Sequence, residues 1–155
     1  MAVTPMAELA AALAPHRAAG DRIVCTNGCF DVLHRGHVAY LEQARSLGDV
    51  LVVGLNDDAS VRRLKGPHRP INPAEDRAAV LAALACVGHV TVFTHDDAVA
   101  LVELIQPDVY VKGSDYLSRP LPEAAAVAHQ GGRVELVDLL DGRSTTAIMD
   151  RIRAL

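Results

Sequence analysis

The 155-residue sequence predicts a Rossmann-like α/β fold, in which a doubly wound, five-stranded parallel sheet carries helices on both faces. Short β-branched segments alternate along the chain with segments whose apolar residues recur at helical spacing. Strands that alternate with helices in this way form right-handed βαβ crossovers. No repeat, low-complexity tract or linker interrupts the pattern. We therefore expect a single domain over residues 1–155, with a helical extension over 1–20.

The strands are predicted at runs of β-branched and apolar residues. The run 50–55 is almost entirely apolar, as expected for a strand whose two faces are both covered. The other four strands are predicted at 22–26, 89–93, 108–112 and 133–138. Helical spacing and stop signals predict the intervening helices at 38–47, 73–86, 97–105, 121–129 and from about 146 to the C-terminus.

Two further segments lack a clear strand or helix period. The Ala- and Leu-rich stretch 6–14 resembles a signal peptide, but it carries Glu8, lacks a basic start and follows Thr4-Pro5, a pair that begins helices. It is therefore predicted as a short surface helix. The polar, basic and proline-bearing stretch 56–72 is predicted as a long functional loop with one helical turn near 59–64.

Composition limits the possible classes of function. Aromatic residues make up only 3% of the chain against 50% hydrophobic residues, so the core must be aliphatic. The net charge of −4 argues against broad nucleic-acid binding, and no apolar run approaches the ~20 residues that span a membrane. Cys25, Cys29 and Cys86 form no CxxC pair, which argues against disulfides and predicts a reducing, cytoplasmic environment.

Polar segments follow four of the predicted strands. In open α/β sheets, ligands bind outside the carboxyl ends of the strands, where the strand order reverses. The segments richest in glycine, histidine, hydroxyl and charged residues should therefore line one pocket, and they are 27–37, 56–72, 112–116 and 141–146.

The strongest of these signals is the sequence His34-Arg-Gly-His37 at a predicted helix start. Histidines three residues apart lie on one helix face, and a helix N-terminus offers free N–H groups to a phosphate. Two imidazoles could donate hydrogen bonds to the charge that builds during phosphoryl chemistry. The pair could instead ligate a metal, although no third ligand is evident, or cap the helix.

Two other phosphate-binding classes lose their main support. The chain has no GxxxxGK[ST] loop, and the segment from Gly28 to His34 does not match GxGxxG. The sequence therefore argues against a P-loop kinase and against a dinucleotide-dependent oxidoreductase.

The motif His34–His37 resembles the HxGH signature of the HxGH nucleotidyltransferase superfamily, and Arg143–Thr146 resembles its second, Ser/Thr-rich signature. The resemblance extends over residues 23–152 and is greatest to D-glycero-β-D-manno-heptose 1-phosphate adenylyltransferases, both free-standing and kinase-fused. The supporting segments are Thr26–Asp31, Arg63–Gly66, Arg69–Asn72, Val111–Gly113, Asp115-Tyr116 and Gly142–Thr146.

The resemblance implies a catalytic set of His34, His37 and Lys65, with Mg²⁺ bound through the triphosphate and no metal ligands from the protein. It implies nucleotide or phosphate contacts from Thr26, Asn27, Gly28, Cys29, Phe30, Gly36, Arg143, Ser144, Thr145 and Thr146. It implies substrate contacts from Asn56, Arg77, Lys112, Gly113 and Asp115.

Several of these residues also have structural interpretations. Arg77 could bind a phosphate or pair with Asp76 or Glu75 on the surface. Ser144 to Thr146 could simply cap the last helix, which is compatible with anion binding. Asp31 is expected to hold its loop through backbone hydrogen bonds. The roles of Arg62 and Arg63, in the basic stretch before Lys65, stay open, and Ser114 departs from a usual glycine.

The resemblance implies that AMP passes from ATP to heptose 1-phosphate, giving ADP-heptose and pyrophosphate. The partners implied are a nucleoside triphosphate and a sugar phosphate, with no nucleic acid or membrane, and because relatives are often dimers the resemblance also allows a second copy of the chain. One alternative is a cytidylyltransferase that uses CTP with glycerol 3-phosphate or a small hydroxyalkylphosphonate. A second alternative is a non-catalytic nucleotide-binding module.

Overall fold

The computed structural model describes residues 2–155, so Met1 in the predicted ranges 1–155 and 1–20 lies outside it. The strands are β1 Ala2–Val3, β2 Ile23–Gly28, β3 Val50–Asn56, β4 His89–Phe93, β5 Val109–Gly113 and β6 Arg133–Val137. The helices are α1 Met6–Ala19, α2 Arg35–Arg45, α3 Asp58–Lys65, α4 Ala74–Ala82, α5 Val99–Ile105, α6 Glu123–His129 and α7 Thr145–Arg153, with a 3-10 helix at Ser114–Ser118.

All the strands pair in parallel in one sheet of order β1-β4-β3-β2-β5-β6. The chain proceeds outward from β2 through β3 to β4, and then returns to place β5 on the other side of β2. The strand order therefore reverses between β2 and β5, and a crevice is expected outside their carboxyl ends. The doubly wound fold and its five predicted strands are confirmed.

Apolar side chains cover both faces of the sheet. On one face, Leu41 of α2 and Leu81 of α4 pack over β3. On the other, Leu13 of α1 and Leu101 of α5 pack around Tyr110 of β5. Every residue of β3 is buried, as its apolar sequence predicts. This aliphatic core fixes the strands whose carboxyl ends carry the polar loops.

The N-terminal segment differs from its prediction. Helix α1 continues past Pro15 to Ala19, within the helical extension expected over 1–20 but beyond the surface helix predicted at 6–14. Leu9 and Leu13 are fully buried, so packing against the sheet supports a longer helix despite the backbone donor that proline lacks. Strand β1 pairs with β4 at the sheet edge and was not predicted, because two residues carry no periodic signal.

The predicted loop over 56–72 contains a longer helix than the single turn expected near 59–64. Asn56 ends β3, and the eight-residue helix α3 begins two residues later, at Asp58. Asp57 caps this helix by accepting a hydrogen bond from the Ser60 N–H at 2.7 Å, and Val61 is fully buried beneath it. Lys65 is consequently the last residue of a helix rather than part of a loop.

Within residues 2–155, no helix combines the length and apolar character needed to cross a membrane.

Candidate active site

The two sequence motifs meet at the carboxyl edge of the sheet, where α2 and α7 begin. The Thr145 hydroxyl donates a hydrogen bond to the backbone oxygen of Asp31 at 2.7 Å. At Gly36, an added Cβ would lie 3.0 Å from the Arg143 carbonyl oxygen and 2.8 Å from the His34 ring. Glycine at position 36 therefore permits the close approach of the two helix starts.

His34 and His37 form a stacked pair at the start of α2. Their ring centroids lie 3.9 Å apart, with the ring planes inclined by 25°. His34 is the N-cap of the helix, and its Nδ1 accepts a hydrogen bond from the Gly36 N–H at 3.0 Å. Because Nδ1 acts as the acceptor, a neutral His34 carries its proton on Nε2, which leaves that nitrogen as a donor.

Burial keeps both imidazoles neutral at neutral pH. It lowers the pKa of His34 below the ordinary 6.5. Burial, together with the neighbouring His34, lowers the pKa of His37 to about 4, although the nearby Asp31 carboxylate opposes this shift. The edge of the Phe30 ring also packs on His37, with centroids 5.5 Å apart. The pair can thus donate hydrogen bonds without adding two mutually repelling charges.

Asp31 holds the loop before this helix, as the sequence predicts. Its side chain is buried, and Oδ2 accepts hydrogen bonds from Arg69 Nε at 2.8 Å and the Ile71 N–H at 2.7 Å. The Asn72 N–H donates to Oδ1 at 3.0 Å. Burial opposes ionisation of Asp31, but these donors and the Arg69 charge outweigh it and hold its pKa below the ordinary value.

The loop after β2 has an unusual backbone. Phe30 and Val32 have φ values of 44° and 52°, a region that non-glycine residues rarely adopt. A Cβ on Gly28 would approach the Phe30 ring to 3.0 Å, so the ring folds back over the end of β2. This loop carries the predicted nucleotide contacts from Asn27 to Phe30 and is fixed in place by Asp31.

Arg77 is an internal anchor whose guanidinium is engaged mostly by the protein itself, so a substrate contact from it stays a prediction. Its side chain is buried, and Nη1 donates to the backbone oxygens of Cys29 at 2.6 Å and Asn56 at 3.0 Å. Nε donates to the Asn72 carbonyl at 2.9 Å, and Nη2 pairs with the Asp58 carboxylate at 2.7 Å. The partner is therefore neither Asp76 nor Glu75, and the guanidinium ties three segments together.

Asn56 and Thr26 are likewise committed to internal hydrogen bonds. The Asn56 side chain is buried and donates to the Ser60 hydroxyl at 3.3 Å. The Thr26 hydroxyl is fully buried, contacts the Tyr40 hydroxyl at 2.7 Å and donates to the Val111 carbonyl at 2.9 Å. The Thr26 hydroxyl is thus engaged by the protein, whereas Asn56 Oδ1 accepts no hydrogen bond from the described residues, so the predicted ligand contacts of both residues stay predictions.

Lys112 retains free hydrogen-bonding capacity next to this loop. Its ammonium is largely buried, donates to the Asn27 carbonyl at 3.3 Å and lies 4.9 Å from the Tyr116 ring centroid. Burial lowers its pKa from the ordinary value. The Tyr110 hydroxyl donates to Asn27 Oδ1, which fixes the Asn27 side chain. Two of the three Lys112 N–H groups stay available for an anion within the described residues.

The predicted contacts at the end of β5 differ in their exposure. A Cβ on Gly113 would fall 2.6 Å from an Asp115 carboxylate oxygen and 3.1 Å from the Leu139 side chain, so both side chains would have to shift to admit a larger residue. Asp115 itself is exposed on the 3-10 helix, and its carboxylate accepts from Arg119 Nη1 at 3.4 Å. Ser114 begins that helix and is half-buried.

Lys65 and Arg63 are both exposed on α3, but only one is paired. Arg63 donates to the Asp96 carboxylate at 2.8 Å and to the Thr94 carbonyl at 3.0 Å. Lys65 forms no ion pair or hydrogen bond in the described part of the chain. Burial raises the pKa of the Cys29 thiol, and the Lys65 charge is the largest effect that opposes it. The Lys65 ammonium therefore lies near the loop after β2.

The start of α7 carries the second motif. The Ser144 hydroxyl caps the helix by accepting from the Ala147 N–H at 3.1 Å, so the predicted capping role is confirmed. Arg143 and Thr146 are exposed beside it. A cavity of about 290 Å³ separates this helix start from that of α2 and is lined by His34, Arg35, Gly142, Arg143, Ser144, Ile148 and Arg151.

Three residues near the site were not among the predicted contacts. Arg69 is needed to hold Asp31, and Arg35 and Arg151 line the cavity. Arg35 lies between the two histidines in sequence, so its place inside the motif could have indicated that it lies at the site. Arg151 lies seven residues beyond Ser144, two helical turns along α7, and helix periodicity places it on the same face.

Among residues 2–155, no group of three or more His, Cys, Asp or Glu side chains is arranged to hold a metal ion.

Comparison with known proteins agrees with this geometry. Residues 25–149 match the Cytidylyltransferase-like family. The chain is 56% identical over 147 residues to "Bifunctional protein HldE" of Alkalilimnicola ehrlichii, covering 95% of this chain and 31% of that protein. It is 54% identical over 136 residues to the protein of the same name from Syntrophotalea carbinolica, covering 88% of this chain and 28% of that protein. The chain thus spans about a third of the length of these relatives.

A solved structure supports the same assignment. The lipopolysaccharide core biosynthesis protein from Thermoplasma volcanium superposes with a TM-score of 0.63 at 29% identity, covering 78% of this chain and 98% of that one. The family match includes both helix starts that form the site, from the loop after β2 to the first turns of α7. The chain therefore belongs to the cytidylyltransferase-like family of nucleotidyltransferases.

Proposed function

We propose that the chain transfers AMP from ATP to D-glycero-β-D-manno-heptose 1-phosphate and releases ADP-heptose and pyrophosphate. The observation that carries this proposal is the stacked, neutral histidine pair at the start of α2, facing the start of α7 across a cavity. Such an arrangement suits a polyphosphate, because both helix starts present unpaired N–H groups and the positive ends of helix dipoles.

In the proposed reaction, an oxygen of the sugar phosphate attacks the α-phosphorus of ATP in line. A new P–O bond forms, the bond between the α-phosphorus and the bridging oxygen to the β-phosphorus breaks, and pyrophosphate leaves with that oxygen. The N–H groups of His34 and His37 donate to the phosphate oxygens, where negative charge builds in the transition state. No covalent enzyme intermediate is needed, so catalysis consists of positioning and charge stabilisation.

The oxygen atoms available near the histidines fit a Mg²⁺ ion that is held mainly by the triphosphate. Asp31 is the buried carboxylate whose charge acts on His37, and its oxygens already accept three hydrogen bonds. It has little capacity left to ligate a metal, whereas a triphosphate supplies the oxygen ligands that Mg²⁺ prefers. When bound there, Mg²⁺ neutralises charge on the phosphate oxygens.

The remaining predicted contacts have proposed roles consistent with their positions. Lys65 reaches the phosphates from the end of α3, and the backbone of residues 26–30 contacts the nucleotide. Lys112 and Asp115 lie at the end of β5, where an acceptor sugar phosphate would meet the nucleotide. The heptose acceptor is supported by the motif resemblance and by similarity to the HldE proteins. The proposal also includes a single domain that acts in the cytoplasm as a homodimer.

The proposal is tested by measuring pyrophosphate release with every pairing of ATP, CTP or GTP with heptose 1-phosphate, glycerol 3-phosphate or a hydroxyalkylphosphonate. We expect turnover with ATP and heptose 1-phosphate. Turnover with CTP alone would replace the proposal by the cytidylyltransferase alternative. Nucleotide binding without turnover on any acceptor would support a non-catalytic module instead.

A further inference from the structure

The two strands at which the sheet reverses its order stop pairing just below the site. β2 continues for two residues beyond Thr26, and β5 for two residues beyond Val111, but the pairing between the strands ends at these two residues. Beyond that point, the Lys112 ammonium donates across the gap to the Asn27 carbonyl at 3.3 Å. The contacts made at the last pair therefore fix the place where the two strands separate.

A buried junction of two hydroxyl groups lies at this last pair. The Tyr40 hydroxyl, from α2, donates to the Val111 carbonyl oxygen at 3.0 Å, and the Thr26 hydroxyl donates to the same oxygen at 2.9 Å. The two hydroxyl oxygens lie 2.7 Å apart. Burial raises the pKa of the Tyr40 hydroxyl above its ordinary value, so this group keeps its proton and remains a donor. One carbonyl oxygen thus joins α2, β2 and β5.

This junction supplies the directional contact between α2 and the sheet. Leu41 and Ala44 of α2 pack in the core through apolar surface, which attracts without a preferred direction, whereas a hydrogen bond fixes both distance and angle. Within residues 2–155, no other side chain of α2 hydrogen-bonds to a residue of a strand. The rotation and height of α2 on the sheet therefore depend on Tyr40.

Aromatic contacts connect Tyr40 to the histidine pair. Tyr40 lies three residues beyond His37 on α2, and the Phe30 ring packs against both, with centroid distances of 6.5 Å to Tyr40 and 5.5 Å to His37. On the other side of the junction, the Val111 carbonyl belongs to the peptide group that leads into Lys112. A displacement of Tyr40 would therefore move the histidine pair relative to Lys112.

We propose that Tyr40 is a positioning residue for nucleotidyl transfer, because its hydroxyl holds α2 so that the histidine pair keeps its place relative to the end of β5. The inference rests on the proposed function and assigns Tyr40 no contact with a substrate. Without the hydroxyl, the fold and the nucleotide site remain, but the donors to the transition state are placed less accurately. The rate should therefore suffer more than the affinity for substrate.

The first test is the kinetics of Tyr40→Phe, which keeps the ring and removes only the hydroxyl. With ATP and heptose 1-phosphate, we expect kcat to fall about tenfold and the KM for ATP to change less than about twofold. Thr91→Val is the control, because it removes a buried hydroxyl that has no hydrogen-bond partner among the described residues, and its kcat should equal that of wild type. Should Tyr40→Phe not fold, Thr26→Val removes the other hydroxyl of the junction and takes its place in both tests.

The second test is an NMR titration of the histidine rings, which does not depend on turnover. In wild type, His37 should stay neutral until the pH approaches about 4. In Tyr40→Phe, the less firmly held helix start should admit water to His37, so its pKa should rise toward the ordinary 6.5. Tyr110→Phe is the matched control, because it removes a buried hydroxyl on the opposite face of the sheet and should lower the urea midpoint without moving the His37 titration.

The outcomes distinguish the inference from the proposed function. A normal kcat in Tyr40→Phe, or a KM that changes more than kcat, would overturn the inference. So would a His37 titration that moves in neither tyrosine variant or equally in both. If the wild type turned over no acceptor, the proposed function would fail, and the titration alone would decide whether Tyr40 positions the histidine pair.

Discussion

Two groups of polar residues share the carboxyl edge of the sheet and differ in whether their hydrogen-bonding groups are already satisfied. Asp31, Asn56 and Arg77, here called the anchoring group, are buried and bonded to the loops around them. His34, His37 and Lys65, the donor group, keep side-chain nitrogens without a protein partner in the described residues. The first group holds the backbone in shape, and the second is left to act on a ligand.

The contrast shows that polar residues at one edge of the sheet can serve two different purposes. Substituting an anchoring residue should lower stability, whereas substituting a donor residue should lower the rate of reaction. An internally bonded polar group leaves its buried partners unsatisfied when it is removed, so stability falls. A donor that awaits a ligand can be removed at little cost in stability, but at a large cost in rate. Substitutions in the two groups should therefore separate cleanly between unfolding and kinetic measurements.

The largest effect on stability is expected from Asp31→Ala. This change leaves the Arg69 guanidinium and two backbone N–H groups without their acceptor, and we expect a loss of about 3–5 kcal/mol in the free energy of unfolding. Urea denaturation measures it. Asp115→Ala is the control, because that exposed carboxylate pairs weakly with Arg119 and should cost less than about 1 kcal/mol. Similar losses in both variants would show that Asp31 is not an anchor.

The largest effect on rate is expected from His37→Ala or His34→Ala. Loss of one transition-state donor should lower kcat on the order of 10²–10³-fold, with the fold intact. The measurement is pyrophosphate release at saturating substrates, combined with a urea midpoint for each variant. His68→Ala, an exposed histidine absent from the cavity lining, provides the control. Near-normal kcat in His37→Ala would remove the pair from the proposed mechanism.

The depressed pKa of His37 predicts a pH dependence of stability. Between its pKa of about 4 in the fold and the ordinary 6.5, the unfolded chain binds a proton that the folded chain does not. The contribution of His37 is thus complete above pH 6.5 and is lost as the pH falls toward 4, by at most about 3 kcal/mol. Unfolding measured from pH 7 to 4.5 should show wild type losing more stability than His37→Gln. Parallel curves would mean that His37 titrates normally.

The sequence was enough to predict that the polar residues gather at the carboxyl edge of the sheet. It was not enough to predict which of them belong to the anchoring group and which to the donor group. Periodicity and the strand–loop alternation predicted the five main strands, and glycine and histidine spacing placed the motifs at helix starts. Whether Arg77 faces a phosphate or a carbonyl depends on which loops pack over it, and its acceptors Cys29 and Asn56 lie 48 and 21 residues away in sequence. Such long-range contacts leave no local pattern.

Asp31 is the exception that shows what local information can do. A carboxylate in a short polar loop after a strand is commonly bonded to backbone N–H groups, and that expectation was confirmed. The donors come from residues 71 and 72, however, and no spacing in the sequence indicated them. The type of interaction was thus predictable from the residue, whereas its partners depended on the fold.

The smallest effects are expected from Lys65 and Arg63, two basic residues of α3 that lie in the same basic stretch of the sequence. Lys65→Ala should lower kcat/KM about tenfold, because an unpaired ammonium near the loop after β2 loses a charge-assisted contact with the phosphates. Arg63→Ala should leave kcat/KM unchanged and barely move the urea midpoint of unfolding, since its pair with Asp96 is exposed. Both variants remove one positive charge from the same helix, so any general electrostatic effect on nucleotide binding cancels between them.

Pyrophosphate release measured over a range of ATP concentrations gives kcat/KM for both variants. If Arg63→Ala reduced kcat/KM as much as Lys65→Ala, residues bonded within the protein would contribute to turnover as strongly as free donors, and the distinction between the two groups would fail at this helix.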